Sequence, residues 1–269
     1  MDLGEKFKII RKQRKFTIGA LSEIAGSKSS ISDFENGKTF LSTDVLLHLL
    51  SAMMVNSEEF FGTPKLFTQK EYTDFLQDSM HAIQKQDGQF LLSCATESEQ
   101  RYTASGNYLY HILALNLQLI ANEFYPSAAN KNIADEMLDY FFSLNIWTIF
   151  DIGLWGNVVT NFSDQNVYLI TTEILSEMNE MPSNNKDRII LDSALNSLSV
   201  LLKRHNRSLA KKLMDRLYEY EFPKYFMYQK TALAFYQCIY RYLWEDSATA
   251  VRERDTILAT VKLLYSSEE

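Results

Sequence analysis

Helical spacing dominates the chain from residue 67 to its end. Apolar residues there recur every three to four positions in ten successive segments. The breaks between segments are short and are either polar or marked by Gly or Pro, as in "YPSAANKN", "NFSDQN" and "EFPK". No segment alternates as a strand does, and 9 Gly and 4 Pro among 269 residues are too few for a turn-rich β fold. We therefore predict an all-α protein.

Ten helices joined by short connections predict stacked helix pairs, an α-solenoid of the kind formed by tetratricopeptide (TPR) repeats. The helices are expected near residues 68–85, 88–101, 106–123, 131–144, 147–161, 165–180, 186–205, 208–220, 225–245 and 247–266.

Amide side chains recur along this array, at spacings of 39, 41, 39 and 41 residues. They are Gln77, Asn116, Asn157, Asn196 and Gln237. Amides aligned on a concave face could bind an extended peptide backbone, because each side chain offers a donor and an acceptor. The alternative is that the spacing is a coincidence and that the amides are hydrogen-bonded inside the protein. Both interpretations stay open.

Aromatic residues give a second indication of a groove. Trp147 and Trp155 lie about two helical turns apart, close to Asn157, and we include both in the predicted peptide site. The aromatic string at 225–244 could line an apolar groove or belong to a core or dimer contact. The basic run "KRHNRSLAKK" at 203–212 is best explained as a solvated corner between helices.

The first 62 residues differ in charge from the rest. They hold 8 Lys and Arg against 8 Asp and Glu, whereas residues 63–269 hold 19 against 26 and carry the whole net charge of −7. Six bases fall within ten residues: Lys6, Lys8, Arg11, Lys12, Arg14 and Lys15. This asymmetry indicates a small module with a partner of its own.

The N-terminal module is predicted to consist of short helices. Thr17 and Ser27 stand where two helices should begin, and Gly26 and Gly37 stand where helices should end. The "TPK" segment at 63–65 marks the module boundary, because a proline after a glycine rarely continues a helix. The predicted domains are residues 1–65 and residues 66–269.

Residues 17–37 have the pattern of a helix-turn-helix, in which two helices pack at a steep angle and the second presents a polar face. The packing set is Leu21, Ala25, Gly26, Ile31 and Phe34. The polar face is Lys28, Ser29, Ser30, Ser32 and Asp33. A face of this kind can read base edges in a major groove.

Two details resemble the lambda-repressor-like (XRE) class of DNA-binding domains. Arg11 and Glu35 stand where that class commonly has a buried ion pair, and "ENGK" at 35–38 resembles the segment that closes its third helix. The resemblance implies that Arg11 is a structural residue and not a phosphate contact.

The stretch from Gly26 to Ile31 is one residue shorter than in the commonest members, and in this it resembles the Rgg/GadR/MutR regulators of Gram-positive bacteria. The segment "LNIWTIFDIGLWGN" at 144–157 is also similar to a stretch of that family, and so is the division into a short module and a long helical region. Membership implies a homodimeric transcription regulator that binds an inverted-repeat operator in double-stranded DNA. It also implies a repeat domain that senses a short, often hydrophobic signalling peptide and acts allosterically.

The residues expected to contact DNA surround the second helix of the motif. They are Lys12, Arg14, Lys15, Thr17, Lys28, Ser29, Ser30, Ser32, Asp33 and Lys38. Asp33 departs from the family, which often has Arg at this position. An aspartate can accept a hydrogen bond from a cytosine amino group, although its charge lowers non-specific affinity for DNA. The alternative is that Asp33 points sideways and pairs locally.

Other functional classes lack support in the sequence. There is no Gly-rich phosphate loop and no GxSxG or HExxH motif, and the 2 Cys and 4 His are scattered. We therefore predict no enzyme activity, no cofactor and no metal site. The start "MDLGEKFKII" lacks an apolar signal region, and no apolar stretch is long enough to span a bilayer, so a cytoplasmic protein is expected.

Two other functions compete with DNA-binding regulation. The repeats could form an adaptor that binds a partner protein, with the N-terminal module kept for packing. Asp33 and the neutral charge of the module favour this alternative. The second competing function is that of a helical enzyme whose active site is not recognisable from sequence motifs. Salt-dependent binding to duplex DNA separates a DNA reader from an adaptor, because phosphate contacts release counterions.

Overall fold

A computed structural model describes residues 2–61, 80–81, 83–124, 131–178, 185–245 and 247–265. In these ranges the chain forms α-helices and short 3-10 turns, and no strand. The helices divide between two compact units, residues 1–74 and 75–269. The predicted all-α fold is confirmed, while the predicted domain boundary at residue 65 falls outside the described residues.

The first unit contains short helices around one apolar core. They are α1 (Leu3–Gln13), α2 (Ile18–Ser22), α3 (Lys28–Glu35), α4 (Thr43–Ala52) and α5 (Ser57–Phe61). Phe7 lies at the centre, and the centroid of its ring is 5.5 Å from that of Phe34 and 6.4 Å from that of Phe60. All three side chains are buried, and each such ring contributes about 1.5–3 kcal/mol of transfer free energy.

Local signals set the ends of α2 and α3. Thr17 and Ser27 cap these helices, and each side chain accepts a backbone N–H of the first turn, at 3.0 and 3.1 Å. Gly26 forms the turn between them with φ of +78°, and a Cβ there would meet Val45 Cγ1 at 3.1 Å. Glycine is required because no other residue suits both the backbone angle and the space.

The second unit contains longer helices whose ends agree with the prediction to within four residues. They are α6 (Gly88–Ser105), α7 (Tyr108–Phe124), α8 (Lys131–Ser143), α9 (Ile149–Val158), α10 (Asp164–Ser176), α11 (Asn185–Lys203), α12 (Arg207–Tyr218), α13 (Met227–Trp244) and α14 (Ala248–Tyr265). The helix predicted near 68–85 lies almost wholly outside the described residues.

These helices stack in two layers, as the predicted α-solenoid requires. The first helices of successive pairs, α7, α9, α11 and α13, each contact the next. The second helices lie against this layer, with α8 on α7, α10 on α11, α12 on α11 and α13, and α14 on α13. Across the described ranges, no helix is both long and apolar enough to cross a membrane.

The segment that leads into α9 shows how local sequence fixes the stacking. Thr148 caps α9 and forms a capping box with Asp151, whose side chain accepts the Thr148 N–H at 3.0 Å. The Tyr140 hydroxyl of α8 donates to the other oxygen of Asp151 at 2.5 Å. Burial and this carboxylate raise the pKa of the Tyr140 phenol. The start of α9 is thereby tied to the helix before it.

Candidate functional site

The outward face of α3 is the candidate nucleic-acid surface of the first unit. Lys28 and Ser29 are exposed on this face, whereas Ile31, Phe34 and Glu35 of the same helix are buried. The other residues predicted to contact DNA also reach the surface and are exposed or half-buried: Lys12, Arg14, Lys15, Thr17, Ser30, Ser32, Asp33 and Lys38. The structure therefore gives α3 the one-sided exposure that a recognition helix needs.

The serine hydroxyl groups on this face differ in the hydrogen bonds that they already make within the protein. Ser30 Oγ accepts the backbone N–H of Ser27 at 2.9 Å and so completes the capping box of α3. Ser29 Oγ lies 3.0 Å from Ser27 Oγ. Ser32 has no side-chain hydrogen bond within the described ranges. Ser29 and Ser32 are therefore better placed than Ser30 to bond an external group.

Asp33 pairs locally. Its Oδ1 lies 3.5 Å from Lys38 Nζ, and its backbone oxygen accepts the Lys38 N–H at 2.9 Å. The two side chains are 40% and 67% exposed, so the pair contributes less than about 1 kcal/mol. This geometry matches the sideways alternative for Asp33, because the carboxylate sits beside a cation of the loop that follows α3.

Four exposed cations of the first unit have no ion-pair partner among the described residues. They are Lys12, Arg14, Lys15 and Lys28. Lys15 adopts a left-handed backbone, with φ of +59°, directly before the cap of α2 at Thr17. Unpaired surface cations are the groups that neutralise phosphates on a duplex.

Arg11 and Glu35 form the structural ion pair that the sequence predicted. Two guanidinium nitrogens of Arg11 donate to the two Glu35 oxygens at 2.5 and 2.8 Å, and a third donates to the Phe16 carbonyl at 2.8 Å. The Arg11 and Glu35 side chains are 10% and 2% exposed. The hydrogen bonds to Glu35 raise the pKa of the Arg11 guanidinium. This pair joins α1 to α3 and fixes how α3 is presented.

In the second unit, the amides predicted from the repeat occupy different environments. Asn116 is buried and donates its Nδ2 to the Leu154 carbonyl at 2.9 Å, so it joins α7 to α9. Asn196 is exposed and donates to the Gly156 carbonyl at 3.4 Å, which joins α11 to α9. Asn157 is exposed and has no side-chain hydrogen bond within the described ranges. Asn157 and the Oδ1 atom of Asn196 are thus open to a ligand, whereas Asn116 has a structural role.

The remaining two amides do not join this pair. Gln237 Oε1 accepts a hydrogen bond from the Tyr218 hydroxyl at 2.8 Å, and Gln237 lines a pocket between α12 and α13 with Glu221 and Lys230. Gln77 lies outside the described residues. Among the four amides that the structure describes, Asn157 and Asn196 lie at one helix contact, because Asn196 donates to the carbonyl of Gly156, the residue before Asn157.

Both predicted groove tryptophans are core residues. Trp147 and Trp155 are 1% and 0% exposed, and they stack on Phe141 and Phe162 at ring-centroid distances of 5.8 and 5.2 Å. Trp155 lies two positions before Asn157, and at about 100° per residue the two side chains point to nearly opposite sides of α9. This geometry removes the tryptophans from the candidate groove, because a ligand beside Asn157 does not reach them.

An open pocket between the end of α11 and α13 extends the candidate groove. It has a volume of about 420 Å³ and is lined by apolar side chains of α13, including Tyr236 and Ile239, and by Ser199 and Lys203 of α11. Ser199 and Lys203 follow Asn196 by three and seven positions, which places all three on one face of the helix. Sequence reasoning missed this site, although the aromatic string of α13 and the basic run after α11 both touch it.

Comparison with known proteins supplies a family and a fold. Residues 92–268 match the family model described as HTH-type transcriptional regulator Rgg, C-terminal domain. The SHP pheromone receptor Rgg2 of Streptococcus dysgalactiae is 19% identical, with a TM-score of 0.75 over 98% of this chain and 94% of that one. A Listeria monocytogenes protein assigned as a transcriptional regulator is 18% identical, with a TM-score of 0.75 over 98% of this chain and 92% of that one. PrgX in its complex with cCF10 is 15% identical, with a TM-score of 0.71 over 98% and 87%.

Proposed function

Because the chain belongs to the Rgg family of HTH-type transcriptional regulators, we propose that it binds operator DNA through residues 1–65 and a short signalling peptide through residues 66–269. The peptide would change promoter binding or activation allosterically, and the protein would act as a homodimer. Two structural neighbours support the peptide half of the proposal. One neighbour is an SHP pheromone receptor, and another was solved as a bacterial peptide pheromone/receptor complex.

The observation that carries the DNA half is the presentation of α3. One face of the helix is buried against α1 by the Arg11–Glu35 pair, and the other face carries exposed Lys28 and Ser29. Unpaired cations at Lys12, Arg14 and Lys15 precede it along the chain. These features support a recognition helix flanked by phosphate contacts.

Asp33 lowers the non-specific part of this binding. Its carboxylate is paired with Lys38, which withdraws one cation from phosphate contact and leaves an acid close to the duplex. Serine hydroxyls then make the sequence-dependent contacts with base edges. We infer that the protein depends on two half-sites bound by a dimer, because a single module has low non-specific affinity for DNA.

The observation that carries the peptide half is the pair of open amides at the contact between α9 and α11. Asn157 and Asn196 offer donors and acceptors beside the half-buried Gly156, whose carbonyl already accepts a hydrogen bond from the Asn196 amide. Such groups can hydrogen-bond the backbone of an extended peptide regardless of its side chains. A ligand that bridges α9 and α11 would bias the stacking of successive pairs, which is a route for allosteric change.

Selection from a random duplex pool, performed with the full chain at two salt concentrations, tests the DNA half. We expect an enriched inverted repeat whose half-sites lie one or two helical turns apart, with weaker recovery at the higher salt. A Ser29→Ala, Ser32→Ala variant removes the two hydroxyls of α3 that are best placed to bond DNA, and it should blur the half-site sequence. Recovery of unenriched DNA at both salts would count against the proposal.

Promoter binding measured with and without a bound peptide tests the coupling. We expect peptide to change the affinity for the selected DNA, since linkage requires each ligand to alter the binding of the other. A peptide that binds the protein and leaves both DNA affinity and promoter output unchanged would contradict allosteric regulation.

A further inference from the structure

The pocket between α11 and α13, here called the end pocket, combines an apolar wall with one cation. Its apolar lining is Leu202, Phe235, Tyr236, Ile239 and Leu243, and the polar side chains of Ser199, Lys203 and His205 complete it. The volume of about 420 Å³ exceeds that of any single aliphatic side chain, so one large apolar side chain fits inside. Covering apolar surface of this kind with an apolar ligand group is favourable.

Lys203 provides the charge at the rim of the end pocket. It is exposed, it lines the pocket, and no carboxylate of the described residues pairs with it. The neighbouring base Arg204 is occupied, since it donates to the carbonyls of Thr160 and Phe162 and pairs with Asp164. Lys203 is therefore available to an external anion, whereas the base beside it has a structural role.

The pocket on the opposite side of α13 differs from the end pocket in the charges that line it. That pocket, which Gln237 lines, holds Glu221 as well as Lys230. An anion there would meet a like charge, whereas the lining of the end pocket has no acid. The end pocket thus favours a ligand that is both apolar and anionic.

Distance along α11 relates the end pocket to the open amide of Asn196. Lys203 follows Asn196 by seven positions, or about 10 Å of helix rise. An extended peptide covers about 3.3 Å per residue, so about three residues span this distance. A peptide whose backbone is bonded by Asn196 can therefore place its end beside Lys203.

We propose that the end pocket receives the C-terminal residue of the peptide ligand. The apolar side chain of that residue fills the pocket, and its free α-carboxylate pairs with Lys203. A C-terminal apolar residue carries both groups on one Cα, which an internal residue of a peptide does not. This inference rests on the proposed peptide sensing and adds its direction: the C-terminus lies at α13 and the preceding residues lie toward Asn196 and Asn157.

Affinity selection with mass spectrometry tests the proposal. The full-length protein is mixed with a synthetic octapeptide library made in two forms that share the same sequences, one with a free C-terminal carboxylate and one with a C-terminal carboxamide. We expect bound peptides to come from the carboxylate form, with apolar residues enriched at the last position. Resynthesised hits should bind about tenfold more weakly as amides.

Variants separate the role of Lys203 from a general effect of charge. Lys203→Gln should abolish the preference for the carboxylate and leave the affinity for the amide form unchanged, while Lys203→Arg should retain the preference. Lys212→Gln is the matched control, because Lys212 is an exposed lysine on α12 that lies outside the pocket. This control should behave as the wild type does.

The outcomes distinguish the two proposals. If peptides bind equally well as acids and amides, or show no apolar preference at the last position, the end-pocket assignment is overturned and peptide sensing stands. If neither library form yields a bound peptide, both fall. If Lys212→Gln loses the carboxylate preference as fully as Lys203→Gln does, the effect is one of overall charge and the assignment to Lys203 is overturned.

Discussion

Helices α3 and α9 each carry two candidate functional residues that lie two positions apart, one of which is buried while the other faces outward. In α3 the buried member is Glu35, an ion-paired acid, and the outward member is Asp33. In α9 the buried member is Trp155, an apolar ring, and the outward member is Asn157. A two-residue step rotates by about 200° around a helix, so one side chain of each pair must face the core.

The difference between the two helices lies in what the outward residue does. Asp33 is paired with Lys38, whereas Asn157 has no partner among the described residues. The acid in α3 therefore adjusts the electrostatics of a surface that other residues make attractive. The amide in α9 is exposed and is the one that the proposed peptide would contact. The spacing is the same in the two helices, and the neighbours of each outward side chain decide whether it is paired.

The largest expected effect concerns the buried ring of α9. Trp155→Ala should destabilise the second unit by about 3–5 kcal/mol, because it removes a buried ring stacked on Phe162 and leaves a cavity. Asn157→Ala is the matched control and should change stability by less than about 0.5 kcal/mol. Urea unfolding followed by circular dichroism measures both. Equal losses of stability in the two variants would contradict the assignment of Trp155 to the core and of Asn157 to the surface.

The buried charge of α3 is next in size. Glu35→Ala leaves Arg11 buried without its carboxylate and should cost the first unit about 3 kcal/mol. Asp33→Ala removes a largely exposed pair and should cost less than about 1 kcal/mol. The double variant Arg11→Met, Glu35→Leu should recover much of the loss, since it removes both charges together. Thermal unfolding of the three variants checks this, and a stable Glu35→Ala protein would contradict the structural role of the pair.

On the outward face of α3, two substitutions should move DNA binding in opposite directions. Lys28→Ala should weaken binding and reduce the slope of log affinity against log salt by about one. Asp33→Asn should strengthen binding to a random-sequence duplex by about two- to fivefold, because it removes an acid and releases Lys38. Fluorescence anisotropy over a salt series measures both effects. A weaker non-specific complex for Asp33→Asn would show that this acid makes a required contact.

The smallest effect is a pH dependence of the second unit. His111 of α7 lies between Glu99 of α6 and Glu136 of α8, with Nδ1 and Nε2 at 2.8 and 2.9 Å from their carboxylates. Burial lowers the pKa of His111, but the hydrogen bonds to Glu136 and Glu99 outweigh it, and the net pKa is raised.

The raised pKa fixes the sign of this dependence. The stabilisation is complete below the unfolded pKa of about 6.5 and is lost as pH rises through the higher folded pKa. Because both glutamates are about half exposed, we expect less than about 1 kcal/mol. Urea unfolding at about pH 6 and about pH 8.5 should show the gap between wild type and His111→Gln shrinking at the higher pH. His81→Gln, at an exposed position, should show no such change, and a gap that widens with pH would reverse the assignment.

Much of the architecture could be predicted from the sequence because the responsible signals are local. The capping residues Thr17 and Ser27 and the left-handed Gly26 fix where α2 and α3 begin and how the chain turns between them. Helical spacing and polar breaks located the long helices to within four residues. The candidate peptide site was harder to predict, because a repeat spacing of about forty residues identifies which helix bears an amide and not the direction in which it points.

The sequence alone determined that the chain is helical and where most of its helices begin and end, and its resemblance to the XRE class implied the buried pair of Arg11 and Glu35. Only the tertiary structure decided that the Asn116 side chain forms a hydrogen bond between two helices while that of Asn157 is exposed. It also decided that Trp147 and Trp155 are buried and that Lys203 borders an apolar pocket. Capping and periodicity act between residues close along the chain, whereas burial and pairing depend on which distant helix lies opposite each side chain.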